Sequence, residues 1–290
     1  MTPLEKAFLE ADFNWVSTLK SIWRDQPSQL DGVHDPAADR VMRAFAALKR
    51  PDAEKAVGQV ISGPAGSGKT HLIGTLRRRV WREGGWFVLI DVVGVTDFWR
   101  TAVFGFVSSL RQTMTNGQTQ FEAIFVAALK QVPEATKKEV MRNRNGNGAT
   151  GTVNAFVTAL QRTFREEAME HGNVIRALLL QGDPDPNVAE IAYSWLQGLE
   201  VDPDDRKKLG LKGPTPPPHQ LVKGICWLMS LSGPVMIAID QIDSIVTAGN
   251  ILADRSADLD GETEARARAI VQILAGGLMD LHEQTPRTMT

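Results

Sequence analysis

The run ISGPAGSGKTHLIG, Ile61–Gly74, has Gly63, then four residues, then Gly68-Lys69-Thr70. That is the phosphate-binding spacing G-x-x-x-x-G-K-[ST], and the chemistry it serves is the grip on a nucleoside triphosphate. Gly63, Gly66 and Gly68 allow backbone angles that a side chain opposes. Around Pro64, Ala65 and Ser67 they let successive N–H groups turn inward as an anion nest. A helix beginning at Lys69 points its positive end at the phosphates. Lys69 is then the partner of the β- and γ-phosphates, and the Thr70 hydroxyl is a ligand for Mg²⁺. His71 falls on the first helical turn, near the phosphates or packed beside them.

Such a loop needs a second half, an aspartate that ends a buried strand and holds Mg²⁺. VMIAID, Val235–Asp240, is apolar and then acidic at its end, so Asp240 fills that role. Asp91, which ends WFVLID, is the competing carboxylate. Beside Asp240 stands Gln241, where many ATPases carry glutamate as base for the attacking water. A carboxamide accepts no proton as a base, although it can orient water. Three outcomes stay open: Gln241 positions the water and hydrolysis is slow, Asp243 supplies the carboxylate, or ATP acts as a switch without turnover.

The elements around these residues follow from periodicity. Pro3–Trp23 has the spacing of an amphipathic helix, and Ala37–Lys49 that of a second, ended by Pro51. Ala56–Ser62 is a short apolar run that predicts a strand feeding the glycine loop. Lys69–Glu83 continues as a helix closed by Gly84-Gly85, and Trp86–Val93 is a second buried strand. Thr96–Leu110 is a helix capped by Thr96 or Asp97. From residue 117 to 232 strand signals vanish and helical spacing prevails, with NGNGATG (Asn145–Gly151) as a flexible joint. Further helices are expected over Asn187–Gln197 and His219–Leu231, with Lys212–His219 as a loop. After the strand Val235–Asp240, Glu262–Glu283 is a long helix and the final TPRTMT leads toward another strand.

Strand, loop, helix, strand is a βαβ unit. The fold expected is therefore α/β: a P-loop core whose parallel sheet is flanked by helices, with a large helical insertion ahead of the strand that ends in Asp240. Four regions result: 1–54, a helical lead-in; 55–116, the loop-bearing part of the core; 117–232, the insertion; and 233–290, the aspartate strand and its following helix, where the core stops short. Lys69 and Asp240 lie 171 positions apart (240 − 69), a gap only an insertion explains.

With 290 residues, 43% hydrophobic and 23% charged, the chain is an ordinary globular one. Its net charge of −2 marks no general nucleic-acid binder. KKEVMRNRNGN (Lys137–Asn147) is locally basic, and a solvated helix face explains it more simply than a nucleic-acid contact. The single cysteine, Cys226, fits a reducing compartment and a core position. The start of the sequence carries no apolar signal region and no run approaches a membrane span. The expected location is cytoplasmic, with no membrane partner. The arginines Arg77–Arg79 are expected on a wet helix face.

GPAGSGKTHLI together with AIDQIDSI resembles AAA+-type ATPases of the origin-recognition and STAND-like groups. The stretch AEIAYSWLQGLEVDPDDRKKLGL (Ala189–Leu211), with its Trp-Leu-x-Gly step, is similar to the ATP-binding proteins of BREX phage-defence systems. LDGVHDPAADRVMRAF resembles the segment that lies against the adenine in AAA+ relatives, which implies Val33–Ala37 near the base. Gln241 departs from the glutamate common in these families, and the sensor strand and helical lid of AAA+ proteins are not found, implying a piece of a longer protein. The resemblance implies an ATP- and Mg²⁺-binding module of a larger defence or DNA-transaction protein, with Lys69, Asp240 and Gln241 as its catalytic residues. Hydrolysis would be slow or partner-stimulated, with partners or further copies met through the insertion. A non-hydrolysing ATP-dependent scaffold is the alternative. A small-molecule kinase sharing the loop motif is a further one.

Overall fold

The computed structural model describes residues 22–24, 34–50, 57–64, 66–134, 137–138, 140, 148–253 and 261–290. The helix expected over Pro3–Trp23 lies outside this set except for residues 22 and 23, and so does most of the basic run Lys137–Asn147.

The chain order is α1 (Asp35–Ala47), α2 (Lys69–Arg82), β1 (Trp86–Asp91), α3 (Phe98–Leu110), α4 (Gln120–Ala128), α5 (Gly148–Thr163), α6 (Arg165–Glu170), α7 (Gly172–Leu180), α8 (Pro186–Leu196), α9 (Pro203–Lys208), α10 (Pro218–Ser230), β2 (Val235–Asp240), α11 (Asp243–Ala253), α12 (Gly261–Gln284) and β3 (Thr288–Met289). The fold is α/β, mostly helical, around a small open sheet of parallel strands in the order β1-β2-β3. Every described regular element between β1 and β2 is helical.

Alternation along the strands divides the core into two layers. Phe87 and Leu89 of β1, Met236 of β2 and Met289 of β3 pack with α1 and α2. Trp86, Val88 and Ile90, with Val235 and Ile237, face the other way onto α3, α10 and the helices beyond. The sheet is thus covered on both faces, as strands read as continuous apolar runs require. Cys226 of α10 lies fully buried in the larger layer.

Two sequence expectations are corrected. The strand expected over Ala56–Ser62 shrinks to a bridge between Val57 and Met289. Its pairing ends where Gln59 donates to the Thr290 carbonyl, and residues 58–64 lie exposed outside any strand. The joint expected at Asn145–Gly151 is helical from Gly148 onward. Glycine disfavours a helix interior by only about 1 kcal/mol, and Phe156, Val157 and Leu160 of α5, all buried, outweigh that. Smaller shifts occur elsewhere: Asp97, not Thr96, caps α3 by accepting from the Arg100 amide, and Pro218 opens α10, one residue inside the expected loop.

β1 lies at the edge of the sheet, and the backbone groups it turns outward are capped by side chains. Phe87 donates its N–H to Gln120 Oε1 at 2.8 Å, and Gln120 Nε2 donates to the Phe87 carbonyl at 2.9 Å. The Leu89 N–H is taken by Ser109 Oγ at 3.0 Å. Gln120 is fully buried and acts as a one-residue substitute for a neighbouring strand. It is held at the start of α4 by a capping box, in which Thr119 accepts from the Glu122 amide while Glu122 accepts from the Thr119 amide. Gly105 lets α3 approach this edge: a Cβ there would come within 2.7 Å of the Leu89 carbonyl oxygen.

Candidate functional site

The glycine loop takes up the left-handed angles its composition permits, with φ of 76° at Gly66 and 83° at Gly68. Gly68 is the residue from which α2 starts, so the free N–H groups of the first helical turn open onto the loop. A Cβ at Gly63 would meet Ser67 Oγ at 2.7 Å. Lys69 turns its ammonium back over the loop, donating to the carbonyls of Gly63 at 2.9 Å and Pro64 at 3.1 Å. Ala65 lies outside the described residues.

Thr70 and Asp240 come together. Thr70 Oγ1 donates to Asp240 Oδ2 at 3.4 Å across 170 positions of sequence. The other oxygen, Asp240 Oδ1, accepts the backbone N–H of Gln241 at 2.9 Å. Asp240 ends β2, while the loop follows the short extended stretch at Val57, and β3 runs between these two. The pair therefore meets at the carboxyl end of the sheet, the usual ligand crevice of open α/β folds.

The competing carboxylate is placed differently. Asp91 pairs in register with Asp240 and accepts the Val93 N–H through Oδ1 at 3.1 Å. The contact with Thr70 belongs to Asp240. Gln241 is exposed and has φ of 65°, a conformation uncommon for a side-chain-bearing residue outside functional turns. The side chain of Asp243 lies outside the described residues.

His34, just ahead of α1, reaches the loop. A Cβ on Gly68 would fall 2.5 Å from its Nε2. The His34 and His71 rings are 5.7 Å apart. Burial lowers the pKa of His71 below its ordinary value, and the neighbouring His34 and Arg78 add to the effect. The segment expected near the base thus brings His34 to the loop, while Val33 lies outside the described residues. Arg79 of α2 pairs with Asp35 and Asp39 of α1 and holds the two helices together.

The arginine run is corrected. Arg77 is 1% exposed. It donates to the Trp23 carbonyl at 2.9 Å and lies 4.6 Å from the Trp81 ring centre. It sits one helical turn from Ile73 and Val80, on the face of α2 that packs against the sheet. Helical phase could have revealed this, as could the Thr-x-x-Glu signature at Thr119 that positions Gln120. The resemblance implies only that Val33–Ala37 lies near the base; the approach of His34 to Gly68 comes from the fold.

Among the described residues no group of three or more His, Cys, Asp or Glu is gathered for a metal. Mg²⁺ beside a nucleotide needs few protein oxygens, since waters and phosphates complete its shell. The Thr70 hydroxyl and Asp240 carboxylate suit that arrangement. Among the described residues no helix is long and apolar enough to cross a membrane. Comparison with protein-family models, curated proteins and solved structures finds no match to this chain.

Proposed function

We infer that the protein is a P-loop nucleotide-binding module that takes ATP with Mg²⁺ and hydrolyses it slowly or on stimulation by a partner. The observation that carries this reading is the meeting of Thr70 with Asp240 at 3.4 Å, beside a loop with left-handed Gly66 and Gly68. A glycine-rich turn of purely structural origin has no need of a distant strand-end carboxylate at its serine/threonine position.

In this reading, the loop N–H groups and the α2 N-terminus neutralise the phosphates. Lys69 leaves the Gly63 and Pro64 carbonyls for the terminal phosphates, exchanging two neutral acceptors for anionic ones. Thr70 and Asp240 would hold Mg²⁺. When bound, the metal would supply charge neutralisation to the phosphates. Gln241 orients water without accepting its proton. ATP binding couples to the helices 117–232 through α3 and α10, which pack on the strands that end at the site. Those helices form the surface offered to a partner or a further copy. The wider setting, a phage-defence or DNA-transaction assembly, rests on the sequence resemblance alone.

Binding of ATP with and without Mg²⁺ tests the two-part site. Thr70→Ala and Asp240→Asn are expected to abolish the gain in affinity that Mg²⁺ gives the wild type. A full Mg²⁺ gain in both variants contradicts the assignment. A second reading, ATP as a fixed structural ligand, is favoured by the carboxamide at Gln241; its mark is binding without release of phosphate.

A further inference from the structure

We propose that Asp91 is the carboxylate that takes the proton from the water attacking ATP, the role that Gln241 cannot fill. The inference rests on the nucleotide-binding reading above. In the register of the sheet Asp91 stands directly beside Asp240, which places their Cα atoms about 4.8 Å apart on neighbouring strands. Paired positions of a parallel ladder project from the same face. Phe87 and Leu89 mark that face on β1, and Met236 and Ala238 mark it on β2; all four pack on the side of α2. Asp91 and Asp240 thus both leave the sheet at its carboxyl end on the side of the phosphate loop.

The two carboxylates are committed differently. Asp240 spends one oxygen on the Gln241 N–H and the other on Thr70. Asp91 is exposed, and its Oδ1 accepts the Val93 N–H, a bond that fixes the carboxylate. A cleft of about 670 Å³ opens at Asp91, bounded by Trp23, Arg24, Thr101 and Phe104, so water reaches the group directly. The capping of Phe87 and Leu89 by Gln120 and Ser109 holds the strand that presents it.

The step balances without further reagents. The water oxygen bonds to the γ-phosphorus as the bond from that phosphorus to the β,γ-bridging oxygen breaks. One water proton passes to Asp91, leaving ADP and phosphate, and Asp91 then returns the proton to solvent. Gln241 orients the water by hydrogen bonding while Asp91 receives the proton, so two residues divide the work that one glutamate does elsewhere.

The test measures MgATP affinity by titration and phosphate release under single turnover, for wild type, Asp91→Asn and Asp91→Glu. Asparagine keeps the acceptor for the Val93 N–H, so the melting temperature and the nucleotide Kd are expected to stay close to wild type, Kd within about twofold. The hydrolysis rate is expected to fall about 100-fold or more, the usual worth of a general base, and Asp91→Glu to recover part of it. Wild-type rates in Asp91→Asn overturn the proposal. So does a loss of affinity in step with the rate, which makes Asp91 a binding residue. Wild-type protein that binds ATP without any turnover overturns the proposal alone; wild-type protein that fails to bind ATP overturns the nucleotide-binding reading with it.

Discussion

Replacing Gln120 by alanine removes the side chain that stands in for a missing strand. Three buried groups lose their partner: the Phe87 N–H, the Phe87 carbonyl and the Trp81 indole N–H, which also donates to Gln120 Oε1 at 2.8 Å. The Ser109 carbonyl, which accepts Gln120 Nε2 at 3.0 Å, keeps the Gln112 N–H. A buried polar group left without a partner costs about 1–3 kcal/mol, so three would sum to about 3–9 kcal/mol. Water entering the space vacated by the side chain recovers part of this. The expected loss is about 3–4 kcal/mol, a large fraction of the 5–15 kcal/mol typical of a folded domain. Urea unfolding followed by tryptophan fluorescence reads it as a lower midpoint at unchanged slope. Gln120→Glu is expected to be at least as damaging, because a carboxylate oxygen then faces the Phe87 and Ser109 carbonyls. A loss below about 1 kcal/mol for Gln120→Ala, within the range of ordinary surface substitutions, refutes the claim that this side chain closes the sheet edge.

Other consequences follow from buried groups. His71 and His171 both have a pKa below the ordinary 6.5, chiefly through burial, with Lys223 adding to the effect at His171 and Glu170 and Glu167 opposing it. A lowered folded-state pKa means that the unfolded chain binds protons more readily. Their contribution is therefore present above pH 6.5 and declines as pH falls below it. The urea midpoint is expected to drop on acidification through that range and to drop less in His171→Gln; an unchanged acid slope in that variant removes His171 from the explanation. Burial also pushes the Cys226 thiol well above its ordinary pKa, so a thiol reagent is expected to label it only in denaturant; prompt labelling of the native protein contradicts its core position. Gly105→Ala drives a methyl against the Leu89 carbonyl and is expected to cost about 1–3 kcal/mol as an overpacked contact, read as a lower melting temperature.

The strands and helices were legible where hydrophobic pattern and boundary signals agreed. Val235–Asp240 ends at the residue the apolar run indicates, and the start of α2 follows from the glycine loop itself. Ala56–Ser62 was less legible, because a strand exists only where a partner backbone lies beside it, and composition does not reveal the partner. Gly148–Gly151 misled for the opposite reason: local glycine content argues for a joint, while packing of the following turns imposes a helix. The sequence already favoured Asp240 over Asp91 as the partner of the loop, and the fold brings Asp240 to Thr70. The register that sets the two carboxylates side by side required the fold, since nothing in WFVLID or VMIAID says that these strands are neighbours.

The most direct measurement is a calorimetric titration of MgATP into the wild-type protein and into Lys69→Ala. Lys69 is half-buried, and its bonds go to the Gly63 and Pro64 carbonyls of the loop, so its removal is expected to leave the fold standing. A single site is expected in the wild type, with affinity reduced at least about tenfold in Lys69→Ala, the loss of one charge-assisted pairing to phosphate. Equal affinity in the two proteins, or no binding in either, contradicts this expectation.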